Sequence, residues 1–466
     1  MGLVAIIGLI CILAFVKQGD TASMPEYNEL SKEAIGLLVD LIKINTVNPP
    51  GNEIEAVKYV AKILDKEKIP YQIVESQPGR ASIIARLKGD GSKKPLVLMA
   101  HLDVVGVEKD KWSSDPFSGT IKDDYIYGRG AIDDKGMAAC ELLVLLEFAR
   151  KKAPLKRNLI LLLCADEEAG GRMGIDFLVN RHLEKIKAEF VINEGGRIII
   201  DEHTGKVAFV GIQNAEKVPV NIRLVAKGTP GHASVPLPDN SIFRLSKALA
   251  RLSEWQPNVK LNQTTRAFFK GLTRSASFPD SFYLENLEHP ELGAFCATQL
   301  SKKNPILGST MRNSISPTIL KSGIRSNVIP SEAEVNLNVR LLPEENVEDF
   351  VEELRKVISD TSIEIVYDRA EHPDTPASPV ETELFQVMEK VGKKLWPEAV
   401  TVPFMSTGAT DAAYLRAKGI PTYGILPFPL DEDDLSRMHG HNERLSLSDL
   451  EAGLKYLYQT VAELNR

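Results

Sequence analysis

Five residues of this chain carry side chains that bind divalent metals well, and most stand where an apolar run gives out: His101, Asp133, Glu168, Glu194 and His439. Residues 95–100 (PLVLMA) read as a buried strand that delivers His101-Leu102-Asp103 at its carboxyl end. Residues 159–165 do the same for Asp166-Glu167-Glu168, followed by Ala169-Gly170-Gly171, and residues 190–193 for Glu194-Gly195-Gly196. Open α/β sheets bind ligands beyond the carboxyl ends of their strands, so these ends are expected to converge on one crevice. Asp133 lies in the segment 128–136 (GRGAIDDKG), whose glycines permit a tight turn into a helix over 137–148.

Hydrolysing an amide requires a nucleophile stronger than neutral water and a way to hold charge on the carbonyl oxygen. Two metals roughly 3.5–4 Å apart supply both, by acidifying a water between them and polarising the carbonyl. Asp133 is the candidate bridge. Three carboxylates and a hydroxide then balance two divalent cations, which makes a buried cluster tolerable. Histidine and carboxylate without thiolate suit zinc, with cobalt or manganese as alternatives. Asp103 is placed to accept the second imidazole N–H of His101 and fix its tautomer. Glu167 and Glu168 are neighbours that need not face the same way, so one can bind metal while the other moves protons; spacing leaves open which. Taken singly, His-x-Asp, Asp-Glu-Glu and the segment 437–443 could each be an ordinary polar turn. Their joint occurrence at strand ends points to a metal centre.

The 466 residues exceed one ordinary domain. With 43% hydrophobic and 26% charged residues the composition is that of a soluble globular protein. The net charge of −7 is spread along the chain and offers nothing for nucleic acid. Cys11, Cys140, Cys164 and Cys296 lack any CxxC spacing and read as isolated thiols, without a disulfide framework. Residues 3–16 are uncharged and apolar apart from one glycine and one cysteine. That run is short of the roughly twenty residues a membrane-spanning helix needs and suits a signal-peptide core. Residues 1–25 are therefore expected to be a signal peptide or membrane anchor, and the protein exported or held at a membrane.

These elements must position the site. Apolar periodicity predicts a helix over 31–44, stopped by the Pro-rich loop 45–52, then a helix over 53–67 and a strand over 81–87. Strand and helix alternate through Glu194, so the first half reads as α/β, a mostly parallel sheet flanked by helices. From Val218 the texture changes to one-sided alternation. A helix near 241–255, a strand pair within 328–342, a helix over 345–359 and a strand over 363–367 give the order of an inserted α+β, ferredoxin-like domain. The expected division is a catalytic domain of 26–213 and 374–466 and an inserted lid or dimerisation domain of 214–373. Residues 263–319 are long, irregular and without an assigned element.

The chain resembles the co-catalytic dizinc peptidases that include carboxypeptidase S, glutamate carboxypeptidase, aminoacylase and succinyl-diaminopimelate desuccinylase. His101-Leu102-Asp103-Val104-Val105 resembles the first signature of that family and 128–136 the second, and the likeness runs from Tyr27 to Arg466. The resemblance implies one zinc on His101 and Glu194, a second on Glu168 and His439, Asp133 between them, and Glu167 as general base. The family's His-x-x-Asn-Glu implies His439 as the ligand in preference to His441. By the same likeness His232 would steady the oxyanion, Asn327 and Arg340 would grip a substrate's terminal carboxylate, and Gly408 and Thr410 would lie near that carboxylate. In dimeric relatives the lid histidine comes from the partner subunit, so a homodimer through the lid is an arrangement the likeness allows.

The leader, the Asn-Glu-Gly-Gly turn and the large lid insertion place the chain nearest carboxypeptidase S and the secreted N-fatty-acyl-amino-acid hydrolases. The expected activity is cleavage of the amide linking a C-terminal amino acid with free carboxylate to a peptide or N-acyl group. An aminoacylase acting on small acyl-amino acids is the alternative. From another class comes a non-catalytic peptide-binding protein on a peptidase scaffold, against which the intact ligand set and Glu167 argue.

Overall fold

The structure, a computed structural model, describes residues 27–274, 276–367 and 372–466. The expected leader lies outside the described residues. Among the described residues no helix is long and apolar enough to cross a membrane.

Three runs of uninterrupted apolar sequence become the centre of the large sheet. Strands Leu159–Cys164, Leu96–His101 and Phe190–Asn193 are buried at every position, as strands covered on both faces must be. They lie parallel to one another and to Thr422–Gly424. Side chains alternate across the sheet. Leu96, Leu98, Ala100, Leu159, Leu161 and Leu163 pack with the helices Tyr27–Lys43, Lys135–Arg150 and Leu447–Leu464. Val97, Met99, Ile160 and Leu162 face Ile175, Leu178, Val179 and Leu415 on the other side. Helix Lys135–Arg150 is buried from Lys135 to Phe148, so its apolar residues run all round.

The expected parallel sheet holds at this centre, while the flanks are mixed. Tyr71–Gln77 and Arg80–Leu87 are antiparallel because only Pro78 and Gly79 join them, and so short a link can make only a hairpin. On the opposite flank Lys206–Glu216 runs antiparallel to Arg197–Asp201 and parallel to Val400–Ser406.

The lid is a separate four-stranded antiparallel sheet in the order Ser314–Ser322, Glu332–Leu341, Val218–Lys227, Ile363–Tyr367. Helices Ser241–Glu254 and Val347–Ile358 close one face, burying Leu245, Ala248, Phe350 and Leu354 against Ile222, Leu224, Leu337 and Val339. This is the ferredoxin-like order, with one correction to the sequence reading. The second strand is Ser314–Ser322, while Val328–Ile329 pairs apart with Gly231–His232. Ser314–Ser322 is an exposed edge with irregular register, so it lacks the one-sided alternation that would have marked it.

Residues 263–310, without assignment from sequence, are mainly short helices: Gln263–Thr273, Asp280–Glu285, Gly293–Lys303 and Pro305–Thr310. They pack on the large sheet, where Phe268, Phe269, Leu284, Cys296 and Leu300 form one cluster with Val402 and Phe404. Burying each phenylalanine contributes roughly 1.5–3 kcal/mol. Between sheet and lid stands a single residue, Lys217. Its N–H donates to Ser406 O at 3.0 Å, and its ammonium donates to Ser309 O at 2.9 Å and Arg312 O at 2.7 Å.

Candidate metal centre

The five expected ligands meet at the carboxyl ends of the central strands. Ligand atoms of His101, Asp133 and Glu194 lie within 4.8 Å of one another, and so do those of Asp133, Glu168 and His439. Asp133 belongs to both groups and turns a different oxygen to each. Its Oδ1 is 2.9 Å from His101 Nε2, and its Oδ2 is 3.0 Å from His439 Nε2. Glu194 Oε1 lies 3.9 Å from His101 Nε2, and Glu168 Oε1 lies 3.3 Å from His439 Nε2. His441 points elsewhere, 3.7 Å from Glu108.

Each ligand is held by backbone that other residues pin. The turn carrying Asp133 wraps a buried carboxylate: Glu443 accepts hydrogen bonds from the N–H groups of Gly130 (3.1 Å), Ile132 (2.8 Å) and Asp133 (3.1 Å), and from Arg129 Nη1 at 2.7 Å. His439 stands at φ 61°, a left-handed conformation histidine tolerates better than most residues. Asn442, just beyond it, accepts from Ser113 N at 2.7 Å and Oγ at 2.8 Å, tying that loop down.

Asp103 departs from its expected part. His101 Nδ1 is 2.9 Å from the main-chain carbonyl of Asp103 but 3.5 Å from its carboxylate, so the carbonyl fixes the tautomer. The carboxylate instead accepts from the N–H groups of Glu167 and Glu168, both at 3.1 Å, and from Asn48 Nδ2 at 2.7 Å. It thus organises the turn that carries two site glutamates. That turn has a second anchor: Asp166, at φ 73°, accepts from Arg80 at 2.6 Å and Met173 N at 2.8 Å, and Arg80 also bonds Glu53 at 2.8 Å. Sequence reasoning missed Asn48, Glu53 and Arg80. Their only local signal is polar residues in or beside otherwise apolar elements.

The residues fit a pair of cations. Desolvation pushes Glu194 up to about 8, with Asp133 adding to the rise. Burial also raises Glu168, and it raises Glu167 well above the ordinary carboxylate range, with Glu194 repelling its charge. Hydrogen bonds that its ring donates to Asp133 and Glu168 raise His439 to about 10. Burial thus disfavours negative charge on the glutamates while the two imidazoles hold Asp133 ionised, and two divalent cations would supply the positive charge this cluster calls for while leaving the lone pairs free to coordinate. Glu168 Oε1 is buried and faces the His439 ring nitrogen at 3.3 Å, as two ligands of one ion would. The donors are nitrogen and oxygen only. Cys164, beside His101 in register, packs with Ile175 and Leu415 and belongs to neither ligand group.

A cleft of about 690 Å³ opens over these groups and is lined by Asp133, Glu167, Glu168, Glu194 and His439 on the sheet side, Asn221 and Arg340 from the lid, and Gly408 and Thr410. Thr410 is already engaged, since its N–H and Oγ1 donate to Glu216 at 3.1 and 2.8 Å. It positions its loop and has no donor left for a substrate carboxylate. His232 and Asn327 are not brought to the cleft. Both are exposed on the two-stranded ribbon of the lid, where Ala233 N donates to Asn327 O at 3.1 Å and His232 Nδ1 lies 2.7 Å from Ser234 Oγ. In a single chain the expected oxyanion partner is thus apart from the metal ligands.

Residues 97–463 match the sequence model of peptidase family M20/M25/M40. The chain is 29% identical over 418 residues to the human N-fatty-acyl-amino acid synthase/hydrolase PM20D1, covering 87% of this chain and 81% of that protein. It is 30% identical over 389 residues to a probable carboxypeptidase S-like 2 of Dictyostelium discoideum, covering 82% and 74%. In fold it is similar to the M20 family metallo-carboxypeptidase Sso-CP2 of Sulfolobus solfataricus, with a TM-score of 0.72 at 20% identity over 93% of this chain and 99% of that one. The chain belongs to peptidase family M20/M25/M40 and is one of its hydrolytic enzymes.

Proposed function

We propose that the cleft hydrolyses the amide bond joining an amino acid with a free carboxylate to a peptide or N-acyl group, with two zinc ions as cofactor and cobalt or manganese as substitutes. One observation carries this reading: Asp133 turns one oxygen to each of two ligand groups, and Glu167 and Arg340 line the same cleft. His101 and Glu194 would hold one ion, Glu168 and His439 the other, and Asp133 both. When bound, the ions supply Lewis acidity to water and to the scissile carbonyl. Glu167 takes the proton from the attacking water and passes it to the leaving amine nitrogen. Its raised pKa suits it to hold that proton between the two steps. Arg340 orients the substrate by its carboxylate, for which a guanidinium offers two parallel N–H donors.

Similarity to the human N-fatty-acyl-amino acid synthase/hydrolase supports the N-acyl arm, and similarity to the probable carboxypeptidase S-like 2 of Dictyostelium the peptide arm. His232 and Asn327 would reach substrate through lid closure or from a second copy in a homodimer. The apolar run 3–16 supports export or membrane anchoring, which fractionation of the producing cells tests. For the activity itself, a panel of dipeptides and N-acyl amino acids is assayed with and without chelator. Turnover that survives metal removal would refute the mechanism, and substrate binding without turnover in the metal-loaded protein would favour the non-catalytic alternative. Glu167→Ala should retain bound metal and lose turnover; cleavage at the wild-type rate would remove Glu167 as the base.

A further inference from the structure

Among the described residues the buried arginines are paired with acids. Arg80 meets Glu53 and Asp166, Arg129 meets Glu443, Arg157 meets Glu189 and Glu383, and Arg416 meets Glu216. Two guanidiniums on the cleft wall break this pattern. Among the described residues the Arg340 side chain donates only to Asn338 Oδ1, at 3.1 Å, and has no acid partner. The Arg197 side chain makes neither an ion pair nor a hydrogen bond among the described residues. It is half-buried, opens the strand Arg197–Asp201 three residues after Glu194, and is stacked over Phe404 with 5.6 Å from its guanidinium carbon to the ring centroid.

Shielding a guanidinium without a counterion is costly, because arginine cannot shed its charge as a buried lysine or histidine does. Desolvation alone lowers its pKa, with no neighbouring acid compensating. Arg340 is in the same condition. Stacking on Phe404 holds the Arg197 fork in one orientation, which reduces the entropy lost when it binds a planar anion. Two separate unpaired forks lining one cleft, one from the lid and one from the large sheet, suit two separate carboxylates, and Arg340 accounts for one.

We propose that Arg197 is a specificity residue that receives a second carboxylate, so that the preferred substrates are amides bearing two acidic groups. The inference rests on the reading of this cleft as an amide-hydrolase site and names its substrate class. The second carboxylate can sit on the side chain of the departing amino acid or at the far end of the acyl group, and the two sources are separated by substrate pairs.

The test compares N-acetylglutamate with N-acetylglutamine and N-succinylalanine with N-succinamoylalanine, using the metal-loaded enzyme. In one pair the acid should exceed its amide in kcat/KM by about tenfold or more, the size expected of a charge-assisted hydrogen bond. Arg197→Gln should bring that ratio to within about twofold of one, Arg197→Lys should restore part of it, and Arg340→Gln should depress all members together. Equal rates within both wild-type pairs, or a preference that survives Arg197→Gln, would overturn the proposal. Cleavage of none of the four would refute the amide-hydrolase reading instead. Calorimetry then decides the inference: N-acetylglutamate or N-succinylalanine binding about tenfold tighter than its amide in wild type but not in Arg197→Gln supports it, and equal affinities overturn it.

Discussion

Replacing Glu443 by glutamine should cost this protein both stability and metal. The carboxylate is fully buried and receives four donors, two on each oxygen: Ile132 and Asp133 N–H on Oε1, Arg129 Nη1 and Gly130 N–H on Oε2. An amide has one accepting end, so in either orientation its NH₂ group faces two donors. It also removes the counter-charge of Arg129, whose side chain is 2% exposed. Breaking one side of a buried pair costs about 3–5 kcal/mol, because the remaining charge has lost its partner. The second effect runs through the backbone. The charged Arg129 donor keeps the amide oxygen on its side, so Asp133, the residue shared by both ligand groups, loses the acceptor of its own N–H, and such a loss behind a ligand lowers metal affinity by about 10–100-fold. Denaturant unfolding measures the first effect and competition with a chromophoric chelator the second. A Glu443→Gln protein with wild-type midpoint and wild-type metal affinity would refute the argument that this carboxylate shapes the Asp133 turn. Glu443→Asp, which keeps the charge but shortens the reach, should fall between the two in metal affinity.

Two further outcomes follow from particular groups. Asp103→Ala removes the acceptor shared by the Glu167 and Glu168 N–H groups while leaving the carbonyl that bonds His101, so kcat should fall by about 10–100-fold with the His101 ligand group intact; unchanged kcat would show that the glutamate turn holds itself. Glu141 lies fully buried with neither oxygen hydrogen-bonded, and desolvation pushes its carboxyl well above the ordinary range. As pH rises past the ordinary carboxylate value the unfolded chain releases this proton while the folded chain keeps it, so Glu141 reduces stability progressively on the alkaline side. Glu141→Met should therefore stabilise, by about 1–3 kcal/mol, with a larger gain at about pH 8 than at about pH 5; unfolding curves showing no pH dependence in the difference would refute this.

Much of the site was legible in the amino-acid sequence because its signals are local. A run such as 159–165 must be a strand buried on both faces, and a His or acid at its end must face the crevice beyond the sheet. Glycine turns before Asp133 and after Glu194 add to that local record. The lid's central strand, helices and last strand were legible for the same reason, through one-sided alternation and helical periodicity. Periodicity failed at Ser314–Ser322, an exposed edge, and at Asp280–Glu285 and Pro305–Thr310, helices of six residues that are too short to display a stripe.

Only the tertiary structure decided who supports whom. Glu443 reaches Asp133 across 310 positions of sequence, Arg80 reaches Asp166 across 86, and Thr410 reaches Glu216 across 194. Hydrogen-bonded partners so far apart leave no spacing to read, because packing of the intervening elements brings them together. The same holds for the choice between the carbonyl and carboxylate of Asp103, which turns on a few tenths of an ångström, and for the separation of His232 and Asn327 from the cleft. The sequence by itself determined the kinds of ligand and the strand ends that present them, since strand burial and turn chemistry act over a few residues. Their distances, their supporting shell and the unpaired Arg197 on the cleft wall came from packing over the whole chain.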